Sequence, residues 1–247
     1  MSRPPSLIGV GVGPGDPELV TIKAVRILRE ADLVLVPVLS AAEEGRAEAT
    51  VRAHVGAERV RRVVFTLGGQ EAPGRREAAW DRAAQAVAAG YQAGASMVAF
   101  ATIGDPNVYS TFTYLAATVR DLVPGVTVQT VPGITAMQDL AARSGTVLCE
   151  GTQTLALFPL TAGIARFEQA LRTFDTVVGY KYGQHLPQAL AAVRAAGRLP
   201  GAVYGASLGL PGQDIRPAAE VDVAAGSAPY LSTLLIPARR NTHGDSR

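Results

Sequence analysis

The 247-residue chain has one cysteine, Cys149, and three histidines that stand apart from one another. A single thiol cannot close an internal disulfide, and neither residue type is spaced as a ligand cluster, so no disulfide framework and no metal site are expected. Charge of one sign is equally scarce: 23 basic against 21 acidic residues leave a formal net charge of +2, and no Lys/Arg run follows a helix face. The footprint of nucleic-acid binding is therefore missing, and small molecules are the expected partners. No stretch approaches the roughly 20 apolar residues of a membrane span. The opening MSRPPSLIGVGVG is too short and too broken by glycine for the apolar core of a signal peptide, so a cytoplasmic protein is expected. Gly/Ser linkers, Pro-rich linkers, internal repeats and low-complexity segments are also missing.

What is present is a well-mixed globular composition, 48% hydrophobic and 18% charged. Burial on that scale can offset chain entropy. From Leu7 to about Pro132 an apolar run, a turn and an amphipathic helix alternate, the pattern of a parallel sheet with helices on its faces. The expected strands are SLIGVGV, DLVLVP, VRRVVFTL, SMVAFAT and VTVQTVP, with helices beginning near Pro17, Ala47, Arg75 and Asn107. After ITAMQDLAARSG a second series follows, through TLALFPL, ARFEQALRTF, TVVGYKYG, LPQALAAVRAAG, GAVYGASL and YLSTLLIPA. The expected class is α/β with two α/β domains, residues 1–132 and 133–247, sharing an interdomain cleft where a small ligand binds.

The segment GVGVGPGDPELV carries glycine at every second position, from Gly9 to Gly15. It fails the dinucleotide fingerprint G-x-G-x-x-G, because Pro14 and Asp16 occupy the places of the third glycine, and no Lys-Ser/Thr pair follows Gly15 to make a Walker loop. Asp16 falls at an expected helix N-cap, Pro17 at the first helical position and Glu18 in the first turn, so a phosphate would meet carboxylates there. A neutral or cationic ligand fits better, and a plain tight turn with close packing is the alternative. Two further strand ends repeat the arrangement: FATIGDPNVYSTF, with a helix expected to carry Tyr109, Ser110 and Thr111, and TVPGITAMQ, with a helix starting at Thr135. Together they supply glycines, exposed amides, small polar groups and acids, suited to a ligand with a positive charge, a carboxylate and a ribose.

VGVGPGDPELVTIKAVRILREADLV, TIGDPNVYST and VPGITAMQDLAARSG together resemble the tetrapyrrole methylases, the class III S-adenosylmethionine-dependent methyltransferases of cobalamin and sirohaem synthesis. The resemblance covers nearly the whole chain. GDPNVYSTFTYL, LCEGTQTLALFPLTAG, TVVGYKYG, SLGLPGQDI and PYLSTLLIP are most similar to the branch that methylates precorrin-2 at carbon 20. The resemblance implies a homodimer of the tetrapyrrole methylase fold, with S-adenosylmethionine between the domains and the macrocycle in an adjacent trough. By motif it implies cofactor contacts from Pro14, Ile103, Gly104, Asp105, Val108, Ser110, Thr135 and Ala136, and, on a looser match, from Tyr182 and Ala206. VYGASLGLPGQ departs from the family, which commonly carries an acidic-then-basic pair there.

Methyl transfer from a sulfonium to carbon is an in-line displacement whose activation is stored in the donor, so the protein has mainly to align the reactants and exclude water. That agrees with a sequence holding no nucleophilic triad, no metal motif and no assignable base. Asp16, Tyr109 and Lys181 are candidate acceptor contacts, each also explicable as a cap, a packed ring or a surface residue. A polycarboxylate macrocycle requires basic lining, for which Arg46, Arg75, Arg76, Arg143 and Lys181 are available. Other readings are methylation at a different carbon, the cobalt-containing counterpart of the same step, a non-catalytic tetrapyrrole or S-adenosylmethionine binder, and a nicotinamide oxidoreductase, which the failed fingerprint weakens.

Overall fold

The computed structural model describes residues 4–65, 75–222, 228–229 and 231–239, with the side chains of 75 and 76 left out. The chain divides into two compact units, Met1–Thr135 and Ala136–Arg247.

In the first unit the strands are β1 (Ser6–Gly11), β2 (Leu33–Val38), β3 (Val60–Val64), β4 (Met97–Thr102) and β5 (Thr127–Val131), interleaved with α1 (Ile22–Glu30), α2 (Arg46–Arg52), α3 (Arg75–Gln92) and α4 (Phe112–Leu122). They form one sheet in the order β3-β2-β4-β1-β5, and every pairing is parallel. Alternate residues of each strand feed the two faces. Ile8, Val10, Val34, Val36, Ala99 and Ala101 pack under Ile27 and Leu28 of α1 and Val51 of α2. Leu7, Leu35, Val98 and Phe100 pack against Ala83 and Val87 of α3 and Leu115 and Val119 of α4.

The helix following β1 thus lies on one face and the helix following β4 on the other, although β1 and β4 are neighbours. Their connections leave the sheet in opposite directions, which opens a crevice beyond the carboxyl ends of the two strands. Helix α4 shows how sequence sets this geometry. Its buried residues Phe112, Leu115, Ala116 and Val119 recur at i, i+3, i+4 and i+7, a single apolar stripe. Burying each large member contributes about 1.5–3 kcal/mol before chain entropy is charged against it. Phe112 lies on β1 itself: a Cβ at Gly9 would stand 2.6 Å from its ring.

The second unit contains α5 (Ala136–Ser144), β6 (Leu155–Pro159), α6 (Ile164–Thr173), β7 (Thr176–Tyr180), α7 (Leu186–Ala195), β8 (Val203–Ala206), β9 (Asp214–Pro217) and β10 (Ser232–Ile236). Its sheet runs β6-β7-β10-β8-β9 and is mixed, β6 and β7 being parallel while β10 runs against both its neighbours. Helices α6 and α7 cover one face and α5 the other. Arg198, 8% exposed, points its guanidinium into the carbonyls of Leu171, Phe174, Asp175, Ile236 and Pro237, tying the end of α6 to the end of β10. Strand β9 was not among the expected strands. DIRP is four residues long, half charged and ends in proline, and it holds its place only as an antiparallel edge beside β8.

Candidate cofactor-binding loops

Three loops leave the carboxyl ends of β4, β1 and β5, which are side by side in the sheet. They meet main chain to main chain. Gly104 N donates to Gly13 O at 2.7 Å, forming an antiparallel bridge between the first two loops. A Cβ on Gly11 would stand 2.6 Å from both the Gly104 carbonyl oxygen and the Gly133 nitrogen, and a Cβ on Gly133 would collide with the same Gly104 oxygen. Gly13 and Gly104 have φ of +75° and +71°, open to glycine at little cost. Gly11, Gly104 and Gly133 therefore form a three-way backbone junction.

Asp105 ties the junction together. Its Oδ1 accepts from Asn107 N at 2.7 Å, and its Oδ2 accepts from Gly133 N at 3.0 Å. The first bond closes an Asx turn, so Asp105 stands in a loop and not at a helix cap. The helix expected from about Asn107 begins five residues later, at Phe112. Two features delay it. Tyr109 has φ of +51°, which no right-handed helix accommodates, and Ser110 Oγ accepts from Phe112 N at 3.2 Å, capping α4 from outside. Tyr109, Ser110 and Thr111 thus belong to the loop and its last turn. Ser110 Oγ also lies 3.3 Å from the hydroxyl of Thr102, a strand-end residue that the sequence did not single out. Tyr109 is 42% exposed, and partial burial raises its phenol pKa. Ile103 and Val108 are half-buried in the same loop.

In the β1 loop Pro14 is buried between Gly13 and Gly15, and Asp16 is half-buried. Asp16 does act as a cap, its Oδ1 accepting from Glu18 N at 2.9 Å, but of a three-residue 3-10 turn, Pro17–Leu19. The helix expected from Pro17 starts instead at Ile22, because Val20 and Thr21 stay extended and Thr21 Oγ1 accepts from Ala24 N at 3.1 Å. The amides of Glu18, Ala24, Asn107 and Gly133 are bonded to side chains of the protein. Thr135, half-buried, ends the β5 loop, its Cα 4.0 Å from the position of a Cβ on Gly104.

The remaining predicted residues lie in the second unit. Ala136 is the first residue of α5. Lys181, exposed, follows β7 with φ of +58°, and Ser207 follows β8 with φ of +50°. Such conformations are costly for non-glycine residues and gather at ligand sites. Tyr182 is 1% exposed and belongs to the core formed by α6, α7 and the sheet, where burial pushes its pKa well above the ordinary value. Its hydroxyl covers Gly179, where a Cβ would overlap it. Ala206 is 2% exposed in the same core. Of the candidate cations, Arg143 Nε bonds Asp139 Oδ1 at 2.8 Å, Arg46 is exposed at the start of α2, and the side chains of Arg75 and Arg76 lie outside the described residues. Among the described residues no group of His, Cys, Asp and Glu could hold a metal ion, and no helix is long and apolar enough to cross a membrane.

Residues 6–222 match the family model of the Tetrapyrrole (Corrin/Porphyrin) Methylases. The chain is 34% identical over 238 residues to the precorrin-2 C(20)-methyltransferase of Sinorhizobium sp, covering 94% of each chain. It is 32% identical over 232 residues to the cobalt-precorrin-2 C(20)-methyltransferase of Salmonella typhimurium, covering 93% and 95%. The solved uroporphyrin-III C-methyl transferase of Thermus thermophilus, complexed with S-adenyl homocysteine, superposes with a TM-score of 0.64 at 22% identity over 96% of this chain and 97% of that one. With the family model reaching from β1 to beyond β9 and taking in all three junction loops, the chain belongs to the tetrapyrrole methylases.

Proposed function

We propose that this protein transfers a methyl group from S-adenosylmethionine to carbon 20 of precorrin-2, giving precorrin-3A in cobalamin biosynthesis. The observation that carries the reading is the pair of relatives named for carbon-20 methylation, each aligned over more than nine-tenths of its length and of this chain. The junction of the first unit agrees with such a donor: it presents main chain and small side chains, and Asp16 and Asp105 supply negative charge suited to a sulfonium.

When bound, the donor supplies an activated methyl on positively charged sulfur. The chain's part is to hold it and to shut out water. Pro14, Ile103, Gly104, Asp105, Val108, Ser110 and Thr135 are the proposed first-unit contacts. The family resemblance adds Ala136, Ala206 and Tyr182. Asp16, Tyr109 and Lys181 are proposed to face the acceptor. A domain division after residue 132, a homodimer and a cytoplasmic location complete the proposal.

A second reading is favoured by the relative from Salmonella typhimurium, named for the cobalt form of the same acceptor. Incubating the protein with S-adenosylmethionine and either precorrin-2 or its cobalt-loaded form, then locating the new methyl by NMR, tests both. Methylation of carbon 20 in the metal-free acceptor is expected. Turnover only with cobalt supports the second reading, and a methyl at another carbon overturns both.

A further inference from the structure

We infer that Thr50 is a positioning residue for donor binding, holding the glycine loop from outside through the carbonyl of Gly15. This rests on the proposal that the loop binds S-adenosylmethionine. The loop has two sides. On the inner side Gly13 is bridged to Gly104. On the outer side the Thr50 hydroxyl, with the residue 0% exposed, donates to Gly15 O at 3.1 Å, and His54 Nε2 lies 2.9 Å from Pro17 O. A carbonyl only accepts, so Nε2 carries the hydrogen. The two bonded carbonyls flank Asp16, and Gly15 follows Pro14. Both residues proposed to touch ligand therefore sit on a segment clamped from α2 and the turn that follows it.

The clamp itself is anchored. Thr50 has a second acceptor, Arg46 O in its own helix, at 3.4 Å, so the longer-range bond is the shorter of its two options. Two residues before Thr50, Glu48 is fully buried. It accepts from Arg52 Nη2 at 2.6 Å, from Arg62 Nε at 2.7 Å and from Gly45 N at 3.2 Å. Arg62 comes from β3, so α2 is fixed to the sheet on one side while it holds the loop on the other. Gly15 is buried, and an unbonded carbonyl there would favour a shifted loop. Relocating Pro14 by a fraction of an ångström is enough to disturb a displacement reaction that depends on alignment.

The test compares Thr50→Val, which keeps shape and loses the donor, with Thr50→Ser, which keeps the hydroxyl. Affinity for S-adenosylhomocysteine is read by calorimetry, the ligand-free melting temperature by scanning calorimetry, and KM for S-adenosylmethionine against kcat by turnover. T50V is expected to weaken S-adenosylhomocysteine binding and raise that KM by about 10-fold, the scale of one buried hydrogen bond, while T50S stays within about threefold of the parent. A lower melting temperature with unchanged affinity and KM would reduce Thr50 to a packing role and overturn the inference. Should T50V not fold, Thr50→Ala removes the same donor with a smaller side chain, and parent-like affinity in that variant overturns it as well. Failure of the unaltered protein to bind S-adenosylhomocysteine would instead overturn the underlying proposal, and the inference with it.

Discussion

The Gly133 amide donates to the carboxylate of Asp105 across 3.0 Å, so the loop after β5 is latched to the loop after β4 by a side chain and not only by packing. The other oxygen of the same carboxylate closes the turn that sets Asn107. One residue thus fixes the shape of its own loop and the distance to the next.

Replacing Asp105 by alanine removes both bonds and is expected to lower kcat/KM by at least 10-fold, an estimate of about 1.4 kcal/mol or more for two bonds to a charged acceptor. Asp105→Asn retains one acceptor oxygen and should fall between the two. Steady-state turnover against S-adenosylmethionine concentration distinguishes them; equal activity of all three proteins would show that the latch is dispensable.

Gly133→Ala places a Cβ on the Gly104 oxygen and the Gly11 backbone, none of which can swing aside as a side chain would. Overpacking of this kind costs roughly 1–3 kcal/mol. The expected result is a lower melting temperature together with loss of S-adenosylhomocysteine binding, since the junction cannot separate without moving all three loops. Gly145→Ala, at φ of +66° with open space around it, serves as a control for backbone strain alone.

Arg198 is a buried cation that donates to five main-chain carbonyls. Arg198→Met leaves those acceptors without a donor, at a cost of at least about 3 kcal/mol if two or three remain unsatisfied. For a chain of this size that corresponds to a fall in melting temperature of about 6–12 °C. A fall of less than about 2 °C would mean that water or rearrangement replaces the guanidinium.

Acid sensitivity has an identifiable source in Glu48. Burial works to raise its pKa, but the bonds from Arg62, Arg52 and the Gly45 amide outweigh it and leave the carboxyl below its ordinary 4.5. A depressed folded pKa means that the unfolded chain takes up the proton first as pH falls. The stabilisation is complete above about pH 4.5 and is lost as pH drops through the folded value. Glu48→Gln should therefore be less stable than the parent at neutral pH, with the gap narrowing below about pH 4, as measured by urea titration across that range.

The parallel sheet of the first unit, though not its strand order, was legible because each strand is a short apolar run bounded by turn residues, and the junction glycines were legible as a pattern. Their purpose was not. Gly11 and Gly133 are 122 positions apart, and only the sheet order β4-β1-β5 reveals that they touch. Helix starts were misplaced twice for local reasons: Asp16-Pro17 caps a 3-10 turn that ends at once, and GDP-Asn opens an Asx turn rather than a helix. Thr50 carries no signal at all in the sequence, since a threonine inside a helix looks unremarkable until its partner 35 residues away is known. In the second unit the burial of Tyr182 over Gly179 was likewise invisible, since only the fold brings its hydroxyl onto that glycine.

A junction built from peptide groups has an evolutionary corollary. Gly11, Gly104 and Gly133 offer no side chain to exchange, so point mutation can dismantle the meeting of the three loops but cannot retune it. A change in what the protein accepts then falls to the residues around the junction, such as the exposed Tyr109 with its φ of +51°.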